Sequence, residues 1–201
     1  KNIFKIILLV KIIIFARIAN NILISKKRLI FMEKLEKFIS TYENHPKHGV
    51  SFKDVIEIAQ HPQIFQEVIL EMATSKIIKE AEAIISIDSR GFIFGSAISL
   101  QASIPMIVAR KPGKLPGELV TKKYSLEYGE NSLSIQKKAL QKYNSFAIID
   151  DLLATGGTVN CVSELLNNNN KKVVGLLVVV ELIQLEGRSK MEFPVESIMK
   201  I

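Results

Sequence analysis

Apolar residues fall in short runs separated by polar or turn-rich stretches. The runs at 83–87, 106–109, 146–149 and 173–180 are rich in Ile, Val, Leu and Ala, which is how strands covered on both faces read. Between them the spacing lengthens to three and four. Residues 32–42 carry Leu35, Phe38 and Ile39, which predicts a short amphipathic helix. A longer helix opens at His61-Pro62, with Ile64, Phe65, Val68, Ile69 and Met72 on one face. Further helices are expected over 91–101 and 158–166, the latter closed by the Asn tract at 167–170. Residues 110–118, rich in Pro, Gly and cations, read as loop. The loose alternation over 119–136 reads as a hairpin or extended arm. Apolar strands alternating with helices predict one α/β domain built on a mostly parallel sheet with helices on both faces.

The net charge of +7 would point to nucleic acid or an anionic surface, but it is confined to one place. Residues 1–31 contain Lys1, Lys5, Lys11, Arg17, Lys26, Lys27 and Arg28 and no acid, whereas the remaining 20 cations are matched by 20 acids. The body of the chain is therefore neutral, and no nucleic-acid partner is expected of it. Apolar runs in the leader are interrupted by Lys11, too short for a signal-peptide core or a membrane span. A basic interfacial helix is one reading of this segment. An over-extended reading frame is the favoured one, since the chain starts at Lys1 and the first Met is Met32. The expected division is a leader over 1–31, outside the fold, and a domain over 32–201. One cysteine, Cys161, excludes an intramolecular disulfide and reads as a packed small hydrophobe. His45, His48 and His61 lie in Pro-punctuated sequence and are expected to be solvated or capping.

The densest chemistry follows the third strand, in FAIIDDLLATGGTVNCVSELL. A buried strand runs into Asp150 and Asp151, and a loop through Ala154, Thr155, Gly156, Gly157 and Thr158 then opens a helix. In open parallel sheets, ligands bind at the carboxyl ends of strands. A Gly-rich turn there exposes backbone N–H groups, and the helix N-terminus adds partial positive charge, which suits a phosphate. Paired carboxylates suit adjacent sugar hydroxyls or a divalent metal carried by the ligand. Together they read as a ribose 5-phosphate site. The plain alternative is a capped helix after a strand with a chance Asp pair. Neither GxxxxGK[ST] nor GxGxxG is present.

At these residues the chain resembles the type I phosphoribosyltransferases, and its Leu-Leu-Ala form is most similar to the adenine-using branch. The likeness covers nearly all of 32–201. It implies a mostly parallel central sheet with helices on both faces, plus a small hood and a flexible catalytic arm. The implied reaction is purine salvage, in which 5-phosphoribosyl 1-pyrophosphate and adenine give AMP and pyrophosphate. Mg²⁺ would be carried in by the substrate rather than held by direct protein ligands. The resemblance further implies a cytoplasmic homodimer with no membrane partner.

Three further segments support the likeness. ISIDSRGFIFG places Arg90 between a strand and a helix start, in the loop that receives pyrophosphate in the family and there often holds a non-proline cis peptide. ARKPGKLPGE supplies Arg110, Lys111 and Lys114, charge-assisted donors suited to pyrophosphate. YSLEYG matches the family's catalytic arm and brings Glu127 and Tyr128. The related 6-oxopurine enzymes usually carry an Asp in the phosphate loop where this chain has Ala154, so the resemblance assigns proton exchange to Glu127. The resemblance further places Phe52 and Lys53, in GVSFKD, in a base-binding hood. Adenine enzymes generally have Arg where Lys53 stands and an aliphatic residue where Ser51 stands. A 6-oxopurine enzyme, or a non-catalytic regulator on the same fold, remains the alternative at this point.

Overall fold

The computed structural model describes residues 2–45, 47–126 and 129–201. A helix α1 (Asn2–Glu36) leads into a two-stranded antiparallel ribbon, β1 (Ser40–Glu43) and β2 (Ser51–Asp54). Helices α2 (Pro62–Ala73) and α3 (Lys76–Glu80) follow, then β3 (Ala83–Ile87), α4 (Gly91–Ala102) and β4 (Met106–Ala109). A long hairpin, β5 (Leu119–Leu126) and β6 (Gly129–Gln136), precedes the short α5 (Lys137–Leu140). The chain ends with β7 (Ser145–Leu153), α6 (Gly157–Asn167), β8 (Lys172–Glu181) and β9 (Val195–Lys200).

Five of these strands form one parallel sheet in the order β4-β3-β7-β8-β9. Its two faces carry separate cores. On one, Ala147 and Ile149 of β7 meet Phe94 and Ile98 of α4 and the apolar faces of α2 and α3. On the other, Phe146 and Ile148 meet Val159, Val162 and Leu166 of α6, with Leu133 and Ile135 of the hairpin. Alternation along β7 thus divides its residues between two helical layers, as a doubly covered strand requires. Each fully buried apolar side chain here contributes about 1.5–3 kcal/mol relative to exposure.

One expectation is corrected. The helix expected over 32–42 ends at Glu36, and Ser40–Glu43 is a strand instead. Phe38 and Ile39 are drawn against the core by the turn between the two elements rather than by a helix face. The junction expected at 31/32 falls inside α1, where no break in the backbone marks it. Phe31 is buried in the core with Leu35, and Arg28 pairs with Glu71 of α2 at 3.1 Å. Upstream, Ile14, Phe15, Ile18, Ile22 and Leu23 are exposed. Among the described residues no helix is long and apolar enough to cross a membrane.

Behind the sheet's carboxyl edge, Glu181 at the end of β8 accepts from Arg188 Nε at 2.6 Å, from Arg188 Nη2, and from Ser197 Oγ at 2.8 Å. Arg188 Nη1 also donates to the Val195 carbonyl at 2.6 Å, so one ion pair ties the turn after β8 to β9. The Arg188 hydrogen bonds hold the Glu181 carboxyl below its ordinary value of 4.5. A lowered carboxyl stabilises the fold above its ordinary range, and that contribution is lost as pH falls through the lowered value. Glu181→Gln is therefore expected to lose stability at pH 7, on the order of 1–2 kcal/mol once the partial exposure of Arg188 is discounted. Urea unfolding should show the gap between the two proteins closing in strongly acidic buffer. A gap that stays constant with pH would mean the pair contributes through packing alone.

Candidate active site

Three adjacent strands, β4, β3 and β7, end on the same edge, and the loops that leave them carry most of the residues singled out in the sequence. The expected end of the third strand at Ile149 is too early. β7 runs on through Leu153, so Asp150 and Asp151 are strand residues and point to opposite faces. Asp150 is half-buried and Asp151 is buried. The carboxyl of Asp150 is pushed well up, first by burial and then by the neighbouring Asp151. Burial also raises Asp151, against the opposing pull of Arg90. Two carboxyls this close resist joint ionisation unless donors or a cation meet them.

Arg90 supplies part of that compensation. Its Nε lies 3.0 Å from Asp151 Oδ2. Even so, Asp151 Oδ2 and Arg90 Nη1 are buried without a hydrogen-bond partner among the described residues. Such unmet capacity in a dry site is costly unless a ligand meets it. The Asp88–Ser89 peptide just before Arg90 is cis. On the next strand, Arg110 Nε donates to Asp88 Oδ2 at 3.2 Å, and its guanidinium lies over the Phe92 ring at 5.5 Å. Lys111 and Lys114 are exposed on the loop beyond.

Beyond β7, residues 152–159 and Asp150 line a hollow of about 80 Å³ at the start of α6. Gly156 precedes the helix with φ +81°, a conformation that strains any residue with a Cβ. The turn of residues 187–191 backs this loop. A side chain at Gly187 would run into the Ala154 carbonyl, and Lys190 Nζ donates to the Thr155 carbonyl at 3.0 Å. Sequence reading missed this support. Its signal was the glycine inside LEGRSK, which has no turn partner nearby in sequence and so needed a tertiary reason.

Phe52 and Lys53 sit on β2, apart from the main sheet. The Arg90 guanidinium lies over the Phe52 ring at 4.7 Å, and the His45 ring packs against it nearly perpendicular at 5.1 Å. Lys53 Nζ donates to Thr41 Oγ1 on the facing strand at 2.7 Å. His61 is half-buried: its ring packs on Phe38 at 4.0 Å, and its side chain makes no cap to α2. Cys161 is buried as expected, and burial pushes its thiol up to about 11, which leaves it inert as a nucleophile. Lys122 on β5 pairs with Glu164 on α6 at 2.8 Å, fixing the base of the hairpin. Leu126 pairs with Gly129 in backbone register, and Glu127 and Tyr128 between them lie outside the described residues.

The geometry thus presents two helix starts and a paired carboxylate along one sheet edge, with Arg90 between them. Comparison with known proteins agrees. The model of the phosphoribosyl transferase domain matches residues 54–199. An adenine phosphoribosyltransferase of Prochlorococcus marinus strain MIT 9312 is 86% identical over 166 residues, 83% of this chain and 98% of the relative. One from Mycoplasmopsis pulmonis is 41% identical over 168 residues, 83% of this chain and 98% of its own length. The solved adenine phosphoribosyltransferase of Saccharomyces cerevisiae, in complex with an imino-altritol bisphosphate and adenine, superposes with a TM-score of 0.77 at 31% identity. It covers 85% of this chain and 99% of its own. The enzyme of Thermoanaerobacter pseudethanolicus gives 0.78 at 33% identity, over 85% and 99%. Sheet order, loop chemistry and sequence agree, and the chain belongs to the phosphoribosyl transferase family, within its adenine phosphoribosyltransferases.

Proposed function

We propose that the protein transfers the phosphoribosyl group of 5-phosphoribosyl 1-pyrophosphate to N9 of adenine, releasing pyrophosphate and forming AMP. The observation that carries this reading is the edge itself: the α6 start suits the 5-phosphate, the Asp150–Asp151 pair suits the ribose hydroxyls, and Arg90 and Arg110 suit the pyrophosphate. Asp151 Oδ2, ion-paired to Arg90 but without a hydrogen bond among the described residues, fits a further donor such as a sugar hydroxyl, and the carboxylate pair would suit a hydrated Mg²⁺. When bound with the substrate, Mg²⁺ would offset the charge of the departing pyrophosphate. Asp150 and Asp151 hold the sugar in place, while the 155–158 backbone N–H groups and the cations of the 110–114 loop hold the two phosphate ends. Charge that develops at the anomeric carbon is then stabilised by pre-positioned groups rather than by reorganising water. Glu127 exchanges the proton of the base, and Tyr128 follows it in the sequence.

The catalytic unit of this reading is 32–201, and its working form is a cytoplasmic homodimer. An apolar α4 face supports the dimer: Leu100 is 85% exposed and Ile93, two turns before it, is 38% exposed. A helix apolar on every side is ordinarily covered on every side. A turnover assay with phosphoribosyl pyrophosphate and a panel of adenine, hypoxanthine, guanine and xanthine tests the reading. Adenine should be used alone or far ahead of the others, by the full chain and by a variant starting at Met32, and the protein should sediment as a dimer. Preferred use of a 6-oxopurine would make Lys53 and Ser51 signs of changed base selection. Turnover of none, with phosphoribosyl pyrophosphate still bound, would point to a ligand-sensing regulator.

A further inference from the structure

We infer that Arg90 couples the base site to the pyrophosphate site: its guanidinium rests on the face of Phe52 that the base needs, and pyrophosphate draws it away. The inference rests on the reading of the site given above. Phe52 belongs to the β1–β2 ribbon, which forms no ladder with the main sheet, while Arg90 stands at the end of β3. Their contact at 4.7 Å therefore joins the hood to the body of the protein. The same guanidinium is 3.0 Å from Asp151, but its Nη1 is buried with no hydrogen-bond partner. Arg90 is thus held by one carboxylate and one ring, with donor capacity to spare. About a third of its side chain is exposed, so it has an open path outward.

A purine stacks on an aromatic face in the way a planar guanidinium does, so the two compete for Phe52. The His45 ring already packs against that ring, nearly perpendicular to it at 5.1 Å. Pyrophosphate offers Arg90 charge-assisted, two-point hydrogen bonds, stronger than a contact with a neutral ring. Binding of pyrophosphate removes the competitor from Phe52 and frees Asp151 Oδ2 for the sugar. The ring contact corresponds to roughly a 2- to 30-fold effect on an equilibrium. Adenine should therefore bind about that much more tightly when pyrophosphate is present, and by linkage pyrophosphate should gain by the same factor from adenine.

The test is titration calorimetry of adenine into the protein, alone and with saturating inorganic pyrophosphate and Mg²⁺. In the wild type, pyrophosphate should tighten adenine by several-fold, although the two ligands carry no group in common. In Arg90→Met, adenine alone should bind more tightly than in the wild type, and pyrophosphate should add nothing. Unchanged adenine affinity on adding pyrophosphate to the wild type would overturn the coupling without recourse to any variant. So would an Arg90→Met protein that retains the wild-type coupling factor. Failure of adenine to bind in every arm would overturn the reading of the site, and the coupling with it.

Discussion

Glu127→Gln is expected to lower turnover with adenine by ~10²–10⁴-fold, the usual worth of a positioned acid–base group. When N9 attacks the anomeric carbon, the base must lose a proton, and a carboxylate near N7 can take it. Run backwards, the same acid protonates N7 and makes adenine a better leaving group. The phosphate loop offers no substitute, since Ala154 cannot exchange a proton. Glutamine keeps the shape and hydrogen bonding of Glu127 but not its proton chemistry. Affinity for phosphoribosyl pyrophosphate should barely change, because the anchors proposed for it are Arg90, Arg110, Lys111, Lys114, Asp150, Asp151 and residues 154–158. Single-turnover kinetics is the measurement, so that product release does not mask chemistry. Near-normal turnover with chemistry rate-limiting would remove Glu127 from the mechanism.

Gly156→Val should cripple binding of phosphoribosyl pyrophosphate while the fold survives. Gly156 holds φ +81°, and an added Cβ would lie 2.6 Å from Met191 Cε and 3.2 Å from the Gly187 carbonyl. The flexible Met191 side chain can yield, but the backbone conformation cannot be kept without strain. A strained residue of this kind costs about 1–3 kcal/mol, which the loop relieves by moving. Since the loop's N–H groups are the proposed phosphate ligands, that energy is withdrawn from binding, a loss of ~5- to 150-fold. Calorimetry with phosphoribosyl pyrophosphate reads the loss, and circular dichroism checks the fold. Undiminished affinity would mean that the 5-phosphate binds elsewhere.

The four apolar runs at 83–87, 106–109, 146–149 and 173–180 all proved to be strands of one sheet, because burial on both faces leaves an unbroken signal in sequence. β7 outruns its apolar run because its later residues include two carboxylates, which apolar pattern alone treats as an end. β9 leaves little signal for a related reason: VESIMK is an edge strand in which Glu196 breaks a short apolar pattern. The loop at 154–158 and the helix start at its end were legible because the loop's glycines and threonines are adjacent. Its supports were not: Gly187 and Lys190 reach residues more than thirty positions away, contacts that only the folded sheet edge creates. The same holds for the Phe52–Arg90 contact, which joins two segments read separately as hood and pyrophosphate loop.

β3 and β7 are neighbours, and the helices that follow them lie in opposite layers. Paired strands sit about 4.8 Å apart, so the two helix starts are held on a rigid frame at nearly fixed separation. A molecule with an anion at each end engages the second start at a high effective concentration once the first is held. Single-ended phosphates gain nothing from that multiplication. The frame consequently sets a design rule for inhibitors: two anionic ends on a stiff, sugar-length spacer should bind far more tightly than the sum of two monoanions, and lengthening the spacer by a flexible link should forfeit most of that advantage.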